Sequence, residues 1–189
     1  IGYRAPTFSI SPSLTPWAYD ILAETGHRYS SSVFPGRHAG AADAGIDPCW
    51  PGAGNRPGPV LEIPMTVLRT PLRQVPLLRQ LPVAGGGPFR MTPHPLFTAG
   101  LRRVNALGRR GVFYLHPWEI DPGQPRVPGT PLLKRLKHFT GLSRMKPRLA
   151  RLLADFAWDR MDAVFAAELA QSAAQPARSL APSQPLAAA

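Results

Sequence analysis

Residues 1–34 read IGYRAPTFSISPSLTPWAYDILAETGHRYSSSVF, and the order of signals in that stretch decides the fold class. Residues 1–4 are strand-like, and Pro6 breaks the pattern. Thr15-Pro16 is a helix start: a hydroxyl to cap free amides, then a ring whose fixed φ suits the first helical position. Ala18, Ile21 and Leu22 form an apolar stripe at helical spacing, and Gly26 is a natural stop. Residues 27–34 read as a second strand. Strand, helix, strand in that span is one unit of a parallel α/β fold.

Downstream, residues 35–59 turn to Gly, Ala, Pro and Asp, an irregular excursion of the length that functional or mobile loops have. Order resumes with a short strand at residues 60–65. Gly85-Gly86-Gly87 marks a turn; a phosphate loop would need a Lys-Ser or Lys-Thr after it. Residues 96–107 predict a helix ended by Gly108. Residues 112–115 predict a compact buried strand that stops at His116-Pro117, and residues 131–139 a short basic helix or turn. The longest helix is expected to start near a capping Ser143 with Pro147 in or near its first turn. Leu149, Leu152, Leu153, Phe156, Val164, Phe165 and Leu169 continue it at three- and four-residue spacing. Met65, Met91, Met145 and Met161 read as core, and Arg148, Arg151 and Asp155 as a solvated helix face. Residues 171–189 hold few large side chains and read as a disordered tail.

Hydrophobic residues make up 44% of the 189, which excludes a wholly disordered chain. No window carries the apolar run of a membrane span, and no signal peptide opens the chain. The start at Ile1, inside a strand, reads as a processed chain or a fragment. The net charge of +11 raises the question of nucleic acid. Apart from Lys134, Lys137 and Lys146 the bases are arginines scattered along the chain, whereas a phosphate-binding surface clusters them on one helix or stripe. The charge is therefore read as an arginine-rich, alanine-rich coding bias, with no nucleic-acid partner expected. An anionic polysaccharide would be drawn to the same surface. Cys49 is alone, so it makes no internal disulfide and no Cys-x-x-Cys zinc pair.

Two stretches place ionisable residues at the end of an apolar strand, Gly2-Tyr3-Arg4-Ala5-Pro6-Thr7-Phe8 and Tyr114-Leu115-His116-Pro117-Trp118-Glu119-Ile120-Asp121. In β/α barrels that is where catalytic groups project. Singly, each has a plain structural reading: a hydrogen-bonded histidine, an Arg-x-Pro strand end. Their company is more specific. Arg4-x-Pro6 is followed by the Pro16-Trp17 helix start, then by Tyr29-x-Ser31-Ser32-x-Phe34-Pro35 with Arg37-His38. Leu61-Glu62-Ile63-Pro64, Gly85-Gly86-Gly87-x-Phe89-Arg90, Leu115-His116-Pro117-Trp118-Glu119-x-Asp121-Pro122 and Lys137-His138-Phe139 come next. In this order they resemble the NodB-homology polysaccharide deacetylases, in the branch associated with exosortase and exopolysaccharide loci, across residues 1–170.

The resemblance implies an α/β chain that is the C-terminal portion of a distorted NodB-type (β/α) barrel, with a long C-terminal helix. Residues 1–36 would end the catalytic core, residues 37–170 would be a family-specific region holding the last barrel strand and helix, and residues 171–189 the tail. It implies metal-assisted hydrolysis of N-acetyl groups on an exopolysaccharide, in a bacterial cytoplasm or cell envelope. A divalent ion, zinc in this family, activates a water and polarises the amide carbonyl. By the same resemblance Arg4 pairs with the catalytic carboxylate, His116 protonates the departing amine, Pro6 and Phe8 shape the rim, and Trp118 walls the acetyl methyl or a sugar ring.

The family's upstream aspartates and His-x-x-x-His pair are not in this sequence. His27, His38, His94, His116 and His138 show no metal-ligand spacing, so the chain is expected to bind no cofactor by itself. The family's Tyr-Asp-Ser-Ser reads here Tyr29-Ser30-Ser31-Ser32, the lost Asp being one expected to orient the active-site histidine. The loop at residues 39–45 lacks the charged and aromatic residues typical there. A non-catalytic remnant that binds carbohydrate or a partner is the alternative reading.

Overall fold

The computed structural model of the chain describes residues 1–36, 45–52, 57–71 and 80–173. Its opening unit follows the expected order. Strand β1 (Gly2–Tyr3) leads through helix α1 (Trp17–Glu24) to β2 (Tyr29–Ser30), which pairs parallel to β1, with Gly2 opposite Tyr29. Strand β3 (Leu61–Glu62) adds parallel to β2.

Both β2 and β3 are shorter than the strands expected at residues 27–34 and 60–65, and the hydrogen bonds say why. Beyond Ser30 the amides of Ser32 and Val33 do not continue the ladder; they donate to Glu62 Oε1 at 2.8 and 2.9 Å. A buried backbone donor must find some acceptor, and here a carboxylate from the neighbouring strand supplies it. The α1 start also differs from expectation. The Thr15 hydroxyl accepts from the Ser11 amide at 2.9 Å instead of capping the helix, whose first residues follow Pro16 without a side-chain cap.

Antiparallel β4 (Val67–Arg69) and β5 (Gln80–Pro82) form a second small sheet. Helices α2 (Gly86–Met91) and α3 (His94–Ala106) follow. Residues 112–115 join no ladder among the described residues. The Thr66 hydroxyl takes the place of a partner strand there, accepting from the Val112 amide at 2.5 Å and donating to its carbonyl at 3.1 Å.

The expected single long helix is three. Helix α5 (Leu142–Asp155), which follows α4 (Leu132–Phe139), stops before Phe156, where the backbone is extended. Then come α6 (Met161–Val164) and α7 (Ala166–Ala173). The apolar spacing served two cores. Met145 and Leu152 pack with Val83, Phe89, Phe97, Leu101 and Val104, while Phe165 and Leu169 pack with Phe34, Leu61, Ile63, Met65 and Val67. The break at Phe156 lets the two segments of that pattern reach separate cores, and the Trp158 indole donates to the freed Leu152 carbonyl at 3.1 Å. Gly141, at φ 76°, rather than Ser143, precedes α5, and Pro147 lies inside it. Residues 171–173, expected in the tail, complete α7; the rest of the tail lies outside the described residues, as does His38.

Two further surface readings change. Met91 is half-exposed, not core. Arg148 and Asp155 are not a solvated face: Arg148 donates to the Arg90 and Thr92 carbonyls, and Asp155 meets His94 Nε2 at 3.0 Å. The architecture is thus mixed α/β with two small sheets, and no barrel closes among the described residues.

Candidate functional site

Arg4 leaves the end of β1 and binds the end of β2. Its Nε donates to the Ser31 carbonyl at 2.9 Å and its Nη2 to the Ser31 hydroxyl at 2.8 Å. Burial holds its pKa below the ordinary guanidinium value, with Tyr114 and Glu62 pulling the other way. Among the described residues no carboxylate lies within ion-pairing distance of it. Its hydrogen-bond partners on Ser31 are neutral, and ring faces flank its guanidinium.

The chain then makes a tight turn at Pro6–Phe8 in which Thr7 and Phe8 both take left-handed φ values, 55° and 56°. For non-glycine residues such backbone costs about 1–3 kcal/mol each and persists only when its surroundings hold it. Ring packing does so. Phe8 meets Phe34 edge-on at 5.4 Å and Tyr114 at 5.6 Å. Pro6 opens the turn and is exposed; its carbonyl accepts from the Thr7 hydroxyl at 2.7 Å.

The second half of the site is built on glycines. A Cβ on Gly85 would lie 2.8 Å from the Tyr114 ring, and one on Gly86 would lie 2.2 Å from a Glu119 carboxylate oxygen. The triple glycine is not wholly the expected turn: only Gly85, at φ 84°, lies outside a helix, and Gly86 and Gly87 open α2; the bareness of Gly85 and Gly86 admits these two side chains. Glu119 is buried. Its Oε1 pairs with Arg90 Nε at 3.1 Å, with both side chains almost fully enclosed. Its Oε2 accepts from the His116 amide at 2.9 Å and lies 3.4 Å from the imidazole Nδ1. Arg90 also donates to the carbonyls of His138 and Thr140, at 2.9 and 2.6 Å, fixing α4 to the site.

Rings link the two halves. The Arg4 guanidinium carbon is 5.2 Å from the Tyr114 centroid, and Tyr114 meets His116 edge-on at 5.6 Å. His116 stacks on Trp118 at 5.7 Å, and Trp118 on His138 at 4.3 Å with only 13° between planes. The His116 side chain is 54% exposed, so one face of this array is open while its carboxylate support is sealed. Nδ1 is the ring nitrogen that faces Glu119.

Arg4, Phe8, His116 and Trp118, picked from the sequence, therefore lie in one run of contacts, with Pro6 at its edge. Tyr114, Arg90, Glu119 and His138 belong with them and were not singled out. Arg90, Glu119 and His138 lay inside stretches that carried the family resemblance and Tyr114 just before one, but no local pattern ties a glycine run to a carboxylate some thirty residues on.

Ser30 is a correction. It is buried beside Ser32, Oγ to Oγ 2.8 Å, and bonds Glu62. An aspartate there would stand beside the Glu62 carboxylate, and the carboxylate in contact with His116 is Glu119. Glu62 itself, held by Ser32, Val33 and the Tyr19 hydroxyl at 3.1 Å, has its pKa raised by burial. Burial and the Glu62 charge push the Cys49 thiol up to about 11, which keeps it protonated.

Among the described residues no three His, Cys, Asp or Glu side chains converge. This donor set does not fit a catalytic zinc, which takes about three protein ligands. A cavity of about 370 Å³ bounded by Leu101, Arg109, Phe156 and Trp158 shares no residue with the ring array. No described helix is long and apolar enough to cross a membrane.

Neither a curated protein nor a solved structure matches the chain. A family model does, over residues 31–166, described as a domain of unknown function, DUF3473. That span holds β3, the glycine run, Glu119 and the whole His116–His138 stack, and on it the chain belongs to the DUF3473 family.

Proposed function

We propose that the chain contributes the acid side of a polysaccharide deacetylase, a metal-dependent hydrolase of N-acetyl groups on an exopolysaccharide, and that the metal ligands come from outside this sequence. The observation that carries the reading is His116: an exposed imidazole braced between rings, with a buried Glu119–Arg90 pair at its Nδ1 side. The domain is also known from polysaccharide deacetylase-associated proteins. In this reading the chain would be the closing portion of a NodB-type barrel.

An amine leaves poorly unless it is protonated as the carbon–nitrogen bond breaks, so such a reaction requires a proton donor. His116 would give its Nε2 proton to the departing nitrogen while Glu119 steadies the imidazolium through Nδ1. Arg4 would favour the ionised form of an incoming catalytic carboxylate, since an opposite charge nearby stabilises the anion. Trp118 would wall the sugar ring or the acetyl methyl, with Pro6 and Phe8 at the rim.

A second reading, carbohydrate binding without catalysis, draws on the flat Trp118–His138 stack, which is the kind of face a pyranose covers. One experiment separates them. In a protein joining this chain to a metal-bearing deacetylase half, His116→Ala should cut turnover on N-acetylated oligosaccharides by roughly 10²–10⁴-fold with metal content unchanged. Near-normal turnover in the folded variant ends the catalytic assignment. Oligosaccharide binding without turnover in the parent protein favours the second reading.

A further inference from the structure

Helix α4 has no buried residue. Leu132, Leu133 and Leu136 are 60, 80 and 54% exposed, and Val127 just before the helix is 70% exposed. At about 100° per residue the three leucines fall on one arc, with Arg135 on one side of it and Lys137 on the other. Lys134, Arg135 and Lys137 are exposed and have no ion-pair partner among the described residues. The surroundings strengthen the sign. Between Asp121 and Asp155 the chain carries eight Lys and Arg and not one Asp or Glu. The basic charge is therefore concentrated here, contrary to the even scatter read from the sequence as a whole.

A helix this short, with its leucines in water, needs an external hold, and α4 has one at its last turn. There Arg90 binds the His138 and Thr140 carbonyls and His138 stacks on Trp118. The body of the protein thus presents a ridge of leucine between bases. A soluble polyanion would use the charges but has nothing to cover the leucines. A bilayer with anionic headgroups uses both: acyl chains take the apolar arc while the longer Lys and Arg side chains reach back to the phosphates.

We infer that α4, with Val127, docks the protein on the surface of an anionic lipid bilayer. The inference does not rest on any reading of the His116 site. Docking by α4 would also set that site, whose His138 ring is in the same helix, close to the membrane surface.

The test is co-sedimentation of the 189-residue chain with vesicles of phosphatidylcholine alone, and with an equimolar mixture of phosphatidylcholine and phosphatidylglycerol. The chain should bind the mixed vesicles and not the neutral ones. Lys134→Gln/Arg135→Gln/Lys137→Gln should weaken partitioning by roughly 10²-fold. Leu132→Gln/Leu133→Gln/Leu136→Gln should weaken it by roughly tenfold or more. All six positions are exposed, so circular dichroism should show both variants folded. Full binding by the leucine variant, with loss only in the charge variant, overturns the proposal and makes the face a general polyanion surface. Equal binding to neutral vesicles also overturns it. Absence of binding to either vesicle overturns it and leaves the leucines to a protein partner.

Discussion

Replacing Arg90 with Met tests the foundation of the site. The substitution keeps an unbranched side chain but removes the guanidinium, leaving Glu119 with 2% of its side chain exposed and the His116 imidazole as its remaining side-chain neighbour among its ion-pair contacts. The His138 and Thr140 carbonyls lose their donor at the same time. Breaking a buried pair from one side costs about 3–5 kcal/mol, because the survivor's desolvation is no longer offset. Against a total of roughly 5–15 kcal/mol for a domain, that is a large fraction. For a chain of this size it corresponds to a fall in Tm of roughly 6–20 °C. Urea unfolding followed by circular dichroism reads it as a drop in midpoint at unchanged slope. The double variant Arg90→Met/Glu119→Gln should recover part of the loss, since no unpaired charge remains. A loss below about 1 kcal/mol for Arg90→Met, within the range of exposed ion pairs, would refute the claim that this pair is buried and holds α4 against the site.

Glycine substitutions should separate neighbours. Gly86→Ala forces a Cβ to within 2.2 Å of the Glu119 carboxylate and should destabilise by about 1–3 kcal/mol, whereas Gly87→Ala meets nothing within 4 Å and should be near neutral; thermal melts of the two compare them. Glu62 carries a pH signature. Burial raises its folded pKa above the unfolded value, so its contribution is fully present below about pH 4 and is lost as pH rises through the folded value. Glu62→Gln should therefore be as stable as the parent or more so at neutral pH, and unfolding across pH 4–8 should show the stability difference growing with pH. A difference independent of pH would mean that Glu62 titrates normally.

How much of this was legible beforehand depends on how local each signal is. Pro16 before α1, Gly26 after it and the alternation of strand and helix act over a few residues, and the parallel unit they predicted is there. Arg4 and His116 stand at expected strand ends, which is a local pattern, but they were selected with Phe8 and Trp118 on the order of motifs that carries the family resemblance. The strand at residues 112–115 was misread because its apolar run is indistinguishable from that of a paired strand; only the position of Thr66, 46 residues upstream, decides that a hydroxyl takes the ladder's place. The single long helix failed for a related reason. A 3.6-residue period records that residues are buried, not which core buries them, and Met145 and Phe165 turned out to face different ones.

By itself the sequence determined that the fold is mixed α/β, the order of its first elements and the place of His116 just after an apolar run, because propensity, spacing and side-chain type travel with the chain. The tertiary structure alone decided what stands behind that imidazole. Arg90, Glu119 and the bare Gly86 are brought together by the packing of α2 and α5 against the turn after His116, and a buried carboxylate is tolerated there because folding delivers a cation and a backbone donor to it at once. The desolvation and pairing energies that govern such a group depend on distances through space, which no spacing along the chain encodes.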